Sequence, residues 1–343
     1  MILPRTQKRN TPELSNEQIA AGGTFLLALA ATALMVKLIR NRTQRASRSH
    51  LGLRTKKDLA GEVRRVARLE VDTAIAALTT KDEMVSAEAV HKARKSIKRL
   101  RSLLRLTRHE IGNKVYGAEN EALRRIARRL SDSRDSDVMV QTLDTLAVEY
   151  AVEIPAGAFD DLREALSTKA ATERERLSVH ATALRGAVAE LHSFRARIAG
   201  WPLPANGTVQ DLAPGVRYIY KRGRDASDAA DAKPTTRRLH TLRRRTKDVV
   251  HTAQLLDGAS PKAAAIADKG KAVSEMLGED HDLAILRAGA SIHGETLAPG
   301  HLDLLKALID RRRAAIQRQA TDQAGLLYNR PPKKMTVRFI AKS

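Results

Sequence analysis

Between about residue 56 and residue 325, apolar side chains recur every third or fourth position, and the alternation that marks strands is scarce. Ala93, Ile97, Leu100 and Leu104 form the clearest stripe, on one face of a helix at about 100° per residue. Leu242, Thr246, Val249 and Ala253 repeat that stripe further on. Turn signals interrupt the pattern at Ile111-Gly112-Asn113, Ile154-Pro155-Ala156-Gly157, Asp257-Gly258-Ala259-Ser260-Pro261 and Ala298-Pro299-Gly300. The strongest interruption is the segment 200–207, which holds Trp201, two prolines and two glycines. The pattern predicts an all-α region of long amphipathic helices, divided by this linker into halves of about 56–200 and 208–325.

The beginning of the chain follows another pattern. Residues 19–36 carry no charge, and Leu38 and Ile39 extend the run past Lys37. Eighteen helical residues span about 27 Å, close to the thickness of a bilayer core. Lys37, Arg40, Arg42, Arg45 and Arg48 follow directly, so the positive-inside rule puts the later residues in the cytoplasm. The expected organisation is a tail at 1–18, a transmembrane helix at 19–39, a basic linker at 40–55, the helical domain at 56–325 and a basic C-terminal tail at 326–343.

The two halves contain a repeat. His91-Lys92-Ala93-Arg94 is answered by His240-Thr241-Leu242-Arg243, and Lys98 by Lys247 at the same offset. Further along, Arg134-Asp135-Ser136-Asp137-Val138 is answered by Asp280-His281-Asp282-Leu283. Two motifs recurring in the same order at nearly the same distance predict two related helical bundles, each completing the buried surface of the other.

Charge then narrows the function. The chain has 61 Lys and Arg against 39 Asp and Glu, a formal charge of +22 that repels itself in a compact fold and implies a polyanionic partner. Aromatics make up 3%, too few for the stacking platforms of single-strand nucleic-acid binders, although duplex DNA passes this test. The absence of cysteine excludes a disulfide framework, a thiolate metal site and a cysteine nucleophile. Residues 91–108 hold eight Lys and Arg and no acid. On a helical wheel His91, Arg94, Lys98, Arg101 and Arg105 share one strip about 80° wide beside the apolar stripe. Arg99 turns toward the neighbouring face with Lys92 and Lys95. Cations at i, i+3 and i+4 spacing repel, which disfavours a helix and suits successive phosphates. His240, Arg243 and Lys247 keep a thinner strip in the second half, and Arg217, Lys221, Arg222 and Arg224 form a third cluster.

Asp135, Asp137 and Asp282 are read as carboxylates that orient Arg or Lys side chains, or as helix caps. His281-Asp282 echoes the dipeptide of metal-dependent phosphohydrolases. No histidine pair has the i, i+4 spacing of a helical zinc site, and no glycine-rich phosphate loop is present, so neither metal nor cofactor is expected.

These motifs together resemble the CHAD family, the conserved-histidine α-helical domain. His91 to Arg94 with Lys98 to Arg101 is similar to its opening helix, and Arg134 to Val138 to its Arg-Asp signature. The segments 216–224 and 240–247, with Leu277-Gly278 and Asp282, look like its second half, so the resemblance spans about residues 56–325. The resemblance implies two pseudo-symmetric four-helix bundles with a basic groove that binds inorganic polyphosphate without catalysis. The groove positions it implies are His91, Arg94, Lys98, Arg101, His240, Arg243 and Lys247. Arg99, Arg105, Arg217, Lys221 and Arg224 join them as candidate contacts from the charge pattern. The chain departs from the family at Val250, where Arg is common, and at His281, where Asn is common. It also lacks the acidic β-rich segment of a fused CYTH triphosphatase, and is expected to be a stand-alone, membrane-tethered copy that organises polyphosphate, for example in granules. The rivals are a nucleic-acid or nucleoid binder and a metal-dependent phosphohydrolase.

Overall fold

Eleven helices account for nearly all of the residues that the computed structural model describes, which are 52–53, 58–79, 86–130, 134–178, 181–258, 260–294 and 297–340, and no strand occurs among them. In the first half these are α1 (Leu59–Leu78), α2 (Ala87–Leu106), α3 (Arg108–Arg129), α4 (Arg134–Glu149), α5 (Asp160–Ser178) and α6 (Ala181–Arg197). In the second half they are α7 (Ala213–Ala232), α8 (Thr236–Leu255), α9 (Pro261–His293), α10 (His301–Tyr328) and α11 (Pro332–Ile340). The apolar run 19–39 lies outside the described residues. Among those described, no helix is long and apolar enough to cross a membrane.

The repeat is visible in how the helices neighbour one another. In the first half α1 packs on α2, α2 on α3, α3 on α6 and α6 on α1, with α4 on α5. In the second half α7 packs on α8, α8 on α9, α9 on α10 and α10 on α7. The cycle is the same. The 33-residue α9 and 28-residue α10 are each answered by two shorter helices in the first half. Both basic helices also start in the same way: Ser86 Oγ accepts from the Ala89 N–H at 3.2 Å, and Thr235 Oγ1 from the Arg238 N–H at 3.3 Å. An oxygen cap satisfies one of the orphan N–H groups of a helix start, so these two residues set where each basic helix begins.

Apolar burial ties the halves together. One core joins Ile97, Leu100 and Leu104 of α2 to Leu242, Val249 and Ala253 of α8. A second joins Leu143 and Leu146 of α4 and Leu162 and Leu166 of α5 to Leu283 and Leu286 of α9 and Leu305 and Ile309 of α10. Neither core follows the division at residue 200. The Trp201 segment that joins the halves is packed: Trp201 is buried, meets Phe194 edge-on at 6.0 Å, and its carbonyl accepts from Arg64 Nη2 at 2.8 Å. Where α7 approaches the end of α2, Gly215 has no Cβ because one would lie 1.9 Å from the Leu106 carbonyl oxygen.

The expected C-terminal tail at 326–343 is corrected by the structure. Residues up to Tyr328 continue α10, and α11 packs on α7 with Met335 and Phe339 buried while Lys333 and Lys334 stay exposed. Two apolar residues four apart suffice to dock so short a helix, and the surrounding basic residues conceal that signal in the sequence. Phe339→Ala should therefore cost about 3–5 kcal/mol, the range for emptying a buried aromatic site. Urea denaturation measures this directly, and an unchanged midpoint would show residues 332–340 to be dispensable.

Candidate anion-binding groove

The basic helices α2 and α8 meet across the two halves. Their apolar stripes turn into the shared core, so the cations bordering those stripes are brought side by side. Two cavities lie along this seam, of about 630 and 520 Å³, and both are lined by Lys98, Arg243, Lys247 and His251.

The smaller cavity is the basic one. Lys98, Arg101 and Arg105 reach it from α2, Arg124 from α3, Arg222 from α7, and Arg243, Arg244, Arg245 and Lys247 from α8. Asp248 is the one carboxylate among its lining residues. It accepts from Arg105 Nη2 at 2.5 Å and from Arg245 Nη1 at 3.3 Å. Arg101 is oriented by Asn120, whose Oδ1 accepts from its Nε at 3.1 Å. The larger cavity is mixed. It holds His91, Lys95, Lys271 and Arg312 together with Glu149, Glu275, Glu279 and Asp282. Its acids are partly taken up within the protein, since Arg312 pairs with Glu279 at 2.6 Å and with Glu149 at 2.9 Å, and Lys271 with Glu275 at 3.5 Å.

Crowding shows in the protonation equilibria. Burial pushes the Arg243 guanidinium below its usual range, against the pull of Asp282 and Asp280. Gly278 leaves room for that group, since a Cβ there would lie 3.3 Å from Arg243 Nη2. Arg101 is lowered by burial and then by Arg105 and Arg124, and Arg245 by burial and then by Arg222. His240 is lowered by burial and by His281, whose ring lies 4.9 Å away. His251 is pushed down to about 3, first by burial and then by Arg99, Lys247, Arg105 and Lys98. Arg105 Nε, Arg243 Nε, His240 Nδ1 and His251 Nδ1 are buried with no hydrogen-bond partner. Buried polar atoms of this kind are uncommon and costly in folded proteins.

The structure brings His91, Lys98, Arg101, Arg105, His240, Arg243, Lys247 and Asp282 to these cavities. It takes other candidates elsewhere. Arg94 donates to the Leu130 carbonyl at 3.2 Å, at the end of α3, and Arg99 pairs with the buried Glu70 at 3.3 Å. Arg217 is exposed, Lys221 pairs with Asp225 at 2.9 Å, and Arg224 lies 4.0 Å from Asp228. None of these five lines either cavity, nor does Asp137, and the Asp135 side chain lies outside what is described. The α2 residues that line the cavities span about 120° on the wheel, from Arg101 to Lys95, and Arg94 lies within that arc but is drawn to the Leu130 carbonyl. Sequence reasoning missed His251 and Asp248 altogether. His251 carried a signal, because it follows His240, Arg243 and Lys247 at helical spacing. Among the described residues, no group of three His, Asp or Glu side chains is placed to hold a metal ion.

An all-helical double bundle with a cationic seam between its halves is the architecture of one known class. A family model for the CHAD domain matches residues 70–290, and the chain belongs to that family. Among solved structures it is similar to the CHAD domain from the plant Ricinus communis, at 16% identity and a TM-score of 0.54, over 81% of this chain and 94% of that one. It is similar also to PptA from Streptomyces chartreusis, at 18% identity and a TM-score of 0.57, over 79% of this chain and 100% of the other. At these identities the likeness establishes the fold. Curated protein sequences return no match.

His251 makes a pH prediction. Its folded pKa lies below the ordinary value of 6.5, so between pH 6.5 and about 3 the unfolded chain binds a proton that the folded chain refuses. The stability it contributes is complete above that window and is lost as pH falls through it, at up to about 1.4 kcal/mol per pH unit. Urea midpoints of the wild type should fall more between pH 7 and 5 than those of His251→Gln. Equal losses would assign the acid sensitivity to other groups.

Proposed function

We propose that this protein binds inorganic polyphosphate along the seam of α2 and α8, as a binder with no chemistry of its own. The observation that carries the reading is the basic cavity itself. Cations from both halves converge on about 520 Å³ in which Asp248 is the one lining carboxylate. Partly buried guanidinium groups held so close are stabilised by an anion that reaches several of them at once. A chain with a charge on every phosphorus does this along the seam, and the CHAD family resemblance points to the same ligand. The run 19–39 would tether the groove to a membrane on its cytoplasmic side, where it could organise polyphosphate.

The nucleic-acid reading fits the cavity less well. A single strand would look for stacking platforms, and Tyr116 is the one Phe, Tyr or Trp among the lining residues.

Lys98 and Lys247 line both cavities, whereas Lys92 and Lys221 are exposed and line neither. The double variant Lys98→Ala with Lys247→Ala should weaken polyphosphate binding by about a hundredfold, at roughly 1.5 kcal/mol or more per charge-assisted contact. Lys92→Ala with Lys221→Ala, which loses the same charge, should change it little. Filter binding with the full chain reads both, and equal losses would mean a diffuse basic surface. With five or more cations engaged, log K should fall with log salt at a slope steeper than about −3.5, taking −0.7 per phosphate. A flat slope would remove the electrostatic groove.

A further inference from the structure

Asp248 stands where a polyanion site should have no acid. Its carboxylate lines the basic cavity and bonds Arg105 of the first half and Arg245 of the second, at 2.5 and 3.3 Å. Both Asp248 and Arg105 retain 13% side-chain exposure, so the pair is neither solvent-screened nor sealed in the core. The seam does not depend on it for apolar closure, because Leu100, Leu104, Val249 and Ala253 are already buried beneath. Every other neighbour of the pair on the cavity wall that carries a full charge is cationic. Asp248 therefore does what a ligand oxygen would do, from inside the protein.

We propose that Asp248 is a built-in competitor for the anion, holding between Arg105 and Arg245 the place that one phosphate group of the ligand takes, and so setting the charge density a ligand needs to enter. The inference rests on the polyphosphate reading and deepens it. A tethered carboxylate acts at an effective concentration in the millimolar range or above, so an isolated phosphate that makes one contact gains little by replacing it. A chain with successive charges one bridging oxygen apart engages Lys98, Arg101 and Arg243 together and gains more than the exchange costs. The displaced carboxylate keeps Arg245 within reach, three residues back on the same helix. Asp248 thus favours long, dense polyanions over short ones.

The test uses the full chain with medium-length polyphosphate and with pyrophosphate, titrated by calorimetry into wild type, Asp248→Asn and Asp225→Asn. Asp225 is exposed, pairs with Lys221 and lines neither cavity, so its variant controls for net charge. Asp248→Asn should bind polyphosphate about tenfold tighter, the worth of one charge-assisted contact released from internal use. Its gain for pyrophosphate should be at least as large, its melting temperature should fall, and Asp225→Asn should match the wild type. Binding by Asp248→Asn no tighter than by Asp225→Asn overturns the proposal and makes Asp248 a strut that positions the two arginines. Should Asp248→Asn fail to fold, Asp248→Ser is judged by the same comparison. If the wild type binds nothing while Asp248→Asn binds, the competitor is upheld and the wild-type binding function falls. If neither binds, both fall.

Discussion

Cations set side by side along a helix seam push the seam open, and here the counterforce is apolar. Ile97, Leu100 and Leu104 on α2 and Leu242, Val249 and Ala253 on α8 are at most 1% exposed. Full burial of such side chains contributes about 1.5–3 kcal/mol each for the larger ones, enough to hold like charges at close quarters. The groove exists because the same two helices carry both stripes. Moving a cation from the border into the stripe would leave it buried without a partner, and moving one outward would return it to solvent.

The acids of the chain are disposed to match. Bidentate pairs such as Arg163 with Asp144, Arg195 with Asp72 and Arg287 with Asp310 lie on exposed surfaces. There the hydrogen bonds of the carboxylates raise the arginine pKa values. Pairs of this kind add little stability. They hold acids against cations away from the seam, whose smaller cavity keeps Asp248 as its one lining carboxylate. The cations there add to the burial that depresses His251.

Much of this was legible beforehand. The period of the apolar stripes gave the helices, and the recurrence of His91 to Lys98 in His240 to Lys247 gave the two bundles. The identity of α2 and α8 as the basic pair needed nothing more. What escaped depends on the facing element rather than on the helix itself. A wheel places Arg94 within the arc that lines the cavities but does not show the Leu130 carbonyl that draws it away, and Lys95, just outside the predicted strip, lines the larger cavity. Arg124 reaches the seam from a position on α3 that no local pattern connects to it, and Asp248 is a lone acid among the cations of α8. The Trp201 segment interrupts the helices where its prolines and glycines predict, but such residues mark a turn equally well whether it hangs in solvent or is clamped against Phe194.

The second core carries a consequence for how the chain is made. The apolar faces of α4 and α5, with Leu143, Leu146, Leu162 and Leu166, close on Leu283, Leu286, Leu305 and Ile309. Those partners leave the ribosome roughly 120 to 150 residues after Leu162, a wait of about 6–30 s at ordinary synthesis rates. During that interval the nascent arm offers a sticky surface with no native cover, so a duplicated architecture that looks modular on paper is assembled as one piece and late. A burden on chaperones at the midpoint of translation is the cost of interlocking two halves around a charged seam.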